Sequence, residues 1–291
     1  MGDASLPDIS DTARWVAYYR AVESERPDAL FHDPFARQLA GERGRAIAES
    51  MPGRQSGSSW PMVVRTRVID ELVQKSLSEG VDRVLNLAAG LDTRPYRLQL
   101  PADLVWVEAD LPALLKEKER LLAGTKPVCQ LRREPVDLTD DDARKAFLET
   151  ALKDVRRALV LTEGLLVYLQ AQQVRALSHD LFVQKAVAFW MFDLASPAIL
   201  RMLQRRTRTR LGEGAQMKFA PPEGVGFFEA MGWYALDIRS YLKEGVRLHR
   251  LPPMLRLFAP LSHTDPRNPG PRPWAAVVRL GHEAAPPQHK A

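Results

Sequence analysis

Four short apolar runs in this chain each end on a glycine or a carboxylate. "RVLNLAAG" ends at Ala88-Ala89-Gly90, "LVWVEAD" at Glu108 and Asp110, "PVDL" at Asp137, and "LVLTEG" at Glu163. Small residues at the first end, Ala88 and Gly90 among them, let a ligand approach backbone that larger side chains would screen. Asp110 follows Gly90 by twenty positions, the interval at which an acidic side chain can meet ribose hydroxyls. Asp110 and Asp137 are equally open to a plainer role as N-caps of the polar helical stretches that follow them. Glu163 is different, because it interrupts apolar sequence on both sides. Burying a carboxylate without a partner costs on the order of several kcal/mol, so Glu163 calls for a cation or donor from the protein or from a ligand.

The elements that must position these residues begin at residue 81. "VDRVLNLAAG", "LVWVEAD", "PVCQLRREPVDL", "RALVLTEG" and "KAVAFWMFDL" alternate with the helical stretches "PALLKEKERLL", "DDARKAFLETAL" and "AQQVRALSHDLFVQ". That alternation predicts an α/β protein with a parallel sheet covered on both faces. Two more strands are predicted over 232–240 and 274–280, the last returning antiparallel. Upstream, 11–41 reads as two helical pieces and 62–80 as a helix with Val64, Val68 and Leu72 on one face. The expected organisation is a helical cover over 1–80, a cofactor-binding core over 81–195, a lid insertion over 196–228, and return strands with a tail over 229–291. All belong to one structural domain. Open sheets of this kind bind ligands at the carboxyl ends of their strands, near the point where strand order reverses.

Composition narrows the class. The chain has 291 residues, 45% of them apolar and 26% charged, as in soluble globular proteins. Its formal charge of +5 suits an anionic small-molecule acceptor and is too small for a dedicated nucleic-acid binder. The run Arg201, Arg205, Arg206, Arg208 and Arg210 reads as a solvated helix face, with attraction of an anionic acceptor as the functional alternative. Trp15, Tyr18 and Tyr19 read as packing. Cys129 is the only cysteine, and the six histidines lack ligand spacing, so neither a disulfide nor a metal is expected. No run reaches the roughly 18–20 apolar residues of a membrane span, and residues 1–20 lack the pattern of a secretory signal. A cytoplasmic setting is expected. Nothing in the sequence fixes an oligomeric state.

The glycine pattern bears on the cofactor. A dinucleotide site would place G-x-G-x-x-G after the first strand, and a phosphate cradle G-x-x-x-x-G-K-[ST]; this chain offers Gly90 alone. A nicotinamide-dependent oxidoreductase is thereby disfavoured. A nucleoside cofactor without phosphates remains, with S-adenosylmethionine the obvious member.

Taken together, "SDTARWVA…ERPDALFHDPFA", "NLAAGLDTRPYRL", "WVEADLP" and "TEGLLVYL" resemble the bacterial S-adenosylmethionine-dependent methyltransferases related to leucine carboxyl methyltransferase. The resemblance runs from about Ser10 to Leu280, and Gly90–Arg94 is its most specific piece. It implies a class I methyltransferase (Rossmann-like) sheet of seven strands with the last antiparallel, N-terminal helices and a covering insertion. It also implies cofactor contacts at Arg14, Arg65, Gly90, Asp110, Asp137 and Glu163, with Leu138 near the adenine and Arg65 facing the cofactor's carboxylate. Asn86 and Ala88-Ala89 depart from the broader class, which has an acidic residue and further glycines there. An acceptor carboxylate, ionised near neutrality, would need no general base. A hydroxyl would, and no histidine is placed to serve. A carboxylate is therefore the favoured acceptor for O-methylation, with Tyr168 as the side chain expected to orient it.

Overall fold

The computed structural model describes residues 9–50, 59–207, 216–258 and 264–283. Its elements in chain order begin with helices α1 (Ile9–Ser24), α2 (Ala36–Ser50) and α3 (Trp60–Ser78). There follow β1 (Arg83–Leu87), α4 (Arg94–Arg97), β2 (Val105–Asp110), α5 (Pro112–Leu121), β3 (Gln130–Pro135), α6 (Asp141–Ala151) and β4 (Ala158–Thr162). After a 3-10 turn at Leu166–Tyr168 come α7 (Ala171–Phe182), β5 (Val187–Ala195), α8 (Pro197–Thr207), α9 (Gly226–Glu229) and β6 (Tyr234–Ser240). The chain closes with α10 (Tyr241–Arg247), α11 (Pro253–Phe258) and β7 (Ala275–Gly281).

The seven strands form one sheet in the order β3-β2-β1-β4-β5-β7-β6. β1 through β5 are parallel, and β7 runs antiparallel to both β5 and β6. The expected architecture is therefore observed, including the antiparallel last strand. Every residue of β4 is buried, as a central strand covered on two faces requires. β3, at an edge, is largely exposed.

The two faces have separate cores. Leu85, Val107, Val160, Trp190 and Phe192 pack on one side with residues of α6, α7 and α9. Val84, Trp106, Leu159 and Met191 pack on the other with α3 and α10. α1 and α2 cross closely at Gly44, where an added Cβ would lie 2.6 Å from the Arg14 carbonyl oxygen. That crossing fixes which face of α1 turns toward the strand tips. Among the described residues no helix is long and apolar enough to cross a membrane.

Candidate active site

Strand order reverses between β1 and β4, and there the carboxyl ends of the parallel strands open into one cavity of about 1050 Å³. Ala88, Gly90, Asp110, Asp137, Leu138, Glu163, Arg65 and Tyr168 all line it. The structure thus brings together every site residue expected from sequence except Arg14.

The β1 tip turns through left-handed backbone at Ala88 (φ 54°) and Gly90 (φ 50°). Glycine adopts that region freely, whereas for alanine it costs about 1 kcal/mol. The turn is held by Asp110, whose Oδ2 accepts from the Gly90 amide at 2.6 Å and whose Oδ1 accepts from the Leu111 amide at 2.7 Å. Burial raises its pKa, against the pull of these two amides. A carboxylate has about four acceptor sites, so both oxygens can still take ribose hydroxyls. Asp110 does not cap α5, whose N-cap position is Leu111. Asp137 does not cap α6 either; Asp140 does, accepting from the Asp142 and Ala143 amides. Asp137 stands exposed at the cavity edge, accepting from the Thr139 amide at 2.9 Å and hydroxyl at 2.6 Å. The capping alternative fails for both residues.

Glu163 has the cationic partners its setting demanded. Its Oε2 accepts from Arg94 Nη1 at 2.7 Å, and its Oε1 lies 2.9 Å from Arg65 Nε. Burial alone would raise its pKa, but Arg94 and Arg65 hold it below the ordinary carboxylate range. Arg94 also donates to Asp70 at 2.7 Å and Asp92 at 2.9 Å. Arg65 donates to Asp193 at 3.2 Å, and Asp193 in turn accepts from the Gly164 amide at 2.6 Å. The Arg65 guanidinium is thus engaged by Glu163 and Asp193 while still lining the cavity, where its fork of donors is of the type that can also take a ligand carboxylate.

Arg14, expected at the cofactor, is the one such residue outside the cavity lining. It pairs with Glu117 and reaches the Leu39 carbonyl. α1 turns Thr12, Trp15, Val16 and Tyr19 to the cavity, the spacing of one helix face, which puts Arg14 against α2 and α5. Trp15 and Tyr19, read as packing, are both cavity wall; Tyr18 is not. On α8 the cavity is lined by Ile199, Met202 and Leu203, while Arg201 and Arg205 are exposed and outside the lining. Those two arginines are a solvated face. The Arg206 side chain, Arg208 and Arg210 lie outside the described residues.

Sequence reading missed Arg94, Asp193 and Tyr241. Asp193 interrupts an apolar run as Glu163 does, and the same signal would have found it. Tyr241 opens α10 with its phenol against Arg65; burial and Asp193 drive its pKa well up. Tyr168 is likewise raised by burial, partly offset by Thr12 and Arg65. The cover also draws on α11, through Met254 and Leu255, beyond the expected lid. Among the described residues no cluster could hold a metal ion.

The model of the leucine carboxyl methyltransferase family matches residues 13–181. A Mycolicibacterium smegmatis protein, provisionally named an S-adenosyl-L-methionine-dependent methyltransferase, is 36% identical over 255 residues, 82% of this chain and 79% of that protein. A Parafrankia protein with the same provisional name is 36% identical over 59% of this chain. The chain spans 58% of that relative's length and 56% of the length of one from Mycobacteroides abscessus. A crystal structure of a Thermobifida fusca protein, provisionally named a methyltransferase, superposes over 97% of both chains with TM-score 0.59 and 17% identity, which shows the shared fold. With half the chain matched by the family model and the strand tips gathered around one cavity, this protein belongs to the leucine carboxyl methyltransferase family.

Proposed function

We propose that this chain transfers the methyl group of S-adenosylmethionine to a carboxylate oxygen of a small-molecule acceptor. The cavity suits the cofactor's parts. The Ala88–Gly90 turn offers backbone at close range, Asp110 has acceptor capacity for ribose hydroxyls, and Asp137 with Leu138 forms the edge for the adenine. Glu163 and Arg65 present a carboxylate and a guanidinium to the amino-acid end. When bound, the cofactor supplies a methyl group already activated by its sulfonium.

One observation favours a carboxylate acceptor. Apart from Asp110 and Asp137, assigned above to the cofactor's ribose and adenine, no side chain among the described lining residues is poised to take a proton. There is no histidine. Tyr168 and Tyr241 have raised pKa values and stay protonated. Despite burial, Arg94 keeps Asp92 far below its usual range, and Arg94 and Arg65 do the same for Glu163. Asp193 has both oxygens engaged. An acceptor that arrives ionised reacts without help, and carboxylic acids do so at neutral pH. The chain's own work is then to align the acceptor and exclude water, which can contribute up to roughly 7–11 kcal/mol. Tyr168, held as a donor, orients the carboxylate.

The test is the chemistry of the product. Incubation with S-adenosylmethionine and matched carboxylic acids, phenols and alcohols should yield methyl esters, which release methanol in mild alkali. An alkali-stable methyl ether as the main product would refute the reading. Tyr168→Phe should lower kcat with S-adenosylhomocysteine affinity unchanged; an unaltered kcat would remove Tyr168 from its role.

A further inference from the structure

We infer that the acceptor is an elongated apolar carboxylic acid, its carboxylate directed inward at Tyr168 and its tail lying between α8 and α11. The inference rests on the carboxylate reading above. A cavity of about 1050 Å³ exceeds the roughly 300–1,000 Å³ of sites for one drug-sized ligand, so it has room for an acceptor beside the cofactor. The polar strand tips account for the cofactor end. Elsewhere the wall is mainly apolar, with Trp15, Trp60 and Ile199 inside and Met202, Met254 and Leu255 toward the opening, and Lys218 and Gln173 among its polar exceptions. At that opening Met254 is 75%, Met202 39% and Leu255 38% exposed. Single exposed apolar side chains are unremarkable, but a cluster at the mouth of a cavity marks a binding surface. Methionine there is adaptable enough to follow a flexible tail.

The alternative of a polyanionic acceptor drawn in by the α8 arginines lacks contact, since Arg201 and Arg205 face solvent outside the lining. Inside, the indole N–H of Trp15 is buried without a partner, a second donor in the lining besides Tyr168. The site therefore has a donor-lined inner end for one carboxylate and an apolar channel leading out of it.

The test uses butanoate, octanoate and dodecanoate, with octanol and dodecanol as apolar alcohols, against citrate and gluconate. Turnover is read as ester formed, and binding by calorimetry into the enzyme with S-adenosylhomocysteine. The apolar series should gain about fourfold per added methylene in affinity and in kcat/KM until the tail clears the mouth. Met254→Glu should flatten that gain by at least about tenfold for octanoate and leave S-adenosylhomocysteine affinity unchanged; Met254→Leu should preserve it. Polar acids turned over as well as octanoate would overturn the apolar class and leave carboxylate methylation standing. Tight chain-length-dependent binding with methylation only of apolar alcohols would keep the channel and sink the carboxylate reading. Failure of every apolar probe to bind would overturn the inference itself.

Discussion

Replacing Glu163 by glutamine preserves the side chain's size and removes one negative charge from between two buried guanidiniums. Removing one partner of a buried ion pair costs about 3–5 kcal/mol when the other is left uncompensated. Here neither cation is left alone: Arg94 keeps Asp70 at 2.7 Å and Asp92 at 2.9 Å, and Arg65 keeps Asp193 at 3.2 Å. The amide oxygen still accepts a hydrogen bond. We therefore expect a loss below that range, about 2 kcal/mol. An unfolding entropy of about 2.1 cal/mol/K per residue gives about 0.6 kcal/mol/K for 291 residues, so Tm should fall by about 3 °C. Because the same carboxylate faces the cofactor cavity, S-adenosylhomocysteine affinity should drop at least about tenfold, or 1.4 kcal/mol. Scanning fluorimetry and titration calorimetry on the same preparation give both numbers. A variant with wild-type Tm and wild-type affinity would refute the view that Glu163 joins this network to the ligand.

Asp110→Ala leaves the Gly90 and Leu111 amides without their acceptor and should weaken S-adenosylhomocysteine at least about tenfold by calorimetry, at about 1.5–3 kcal/mol per charged hydrogen bond lost. Lys118→Met strips the 2.7 Å partner from fully buried Glu108 but leaves Arg133 at 2.9 Å, and should lower the unfolding free energy measured in urea by about 2 kcal/mol, below the cost of an uncompensated charge, with a smaller loss of cofactor affinity than Asp110→Ala, since neither Lys118 nor Glu108 lines the cavity. Acid should destabilise the fold: Asp33, Asp92 and Glu163 are held below their ordinary pKa values, so their contribution is full above about pH 5 and is lost as pH falls through the depressed values. A urea midpoint unchanged from neutrality to about pH 2 would contradict this. The Cys129 thiol, pushed up to about 11 by burial and Glu108, should resist maleimide at pH 8 until the protein is unfolded.

How much of this was legible in the sequence depended on the range of the interaction. β1, β2, β4 and β5 were visible because each is a short apolar run bounded by a turn. Their tips were visible because glycine or a carboxylate ends the run. Glu163 declared its need for a cation through its apolar neighbours, but its partner Arg94 lies 69 positions away. No local pattern joins those two residues. Arg14 lies outside the lining because the crossing of α1 over α2 at Gly44 sets the helix rotation, and packing of that kind is invisible in a single segment. α11 was missed because six residues, Pro253–Phe258, are too few to show a periodicity.

The charges on the floor of the site explain why cofactor and acceptor can share one cavity. Among the lining residues, Asp92, Glu163 and Asp193 are linked through Arg94 and Arg65, which leaves one negative charge in excess within that linked set. That excess suits a ligand carrying a sulfonium. The acceptor carboxylate is then held on neutral donors of the lining, Tyr168 and Trp15. Methyl transfer between a sulfonium and a carboxylate cancels both charges, and an apolar surrounding favours that cancellation because it solvates the separated ions poorly. If this division holds, Asp193→Asn should reduce the preference for S-adenosylmethionine over S-adenosylhomocysteine, measured as the ratio of their dissociation constants. An unchanged ratio would show that the excess charge does not reach the sulfonium.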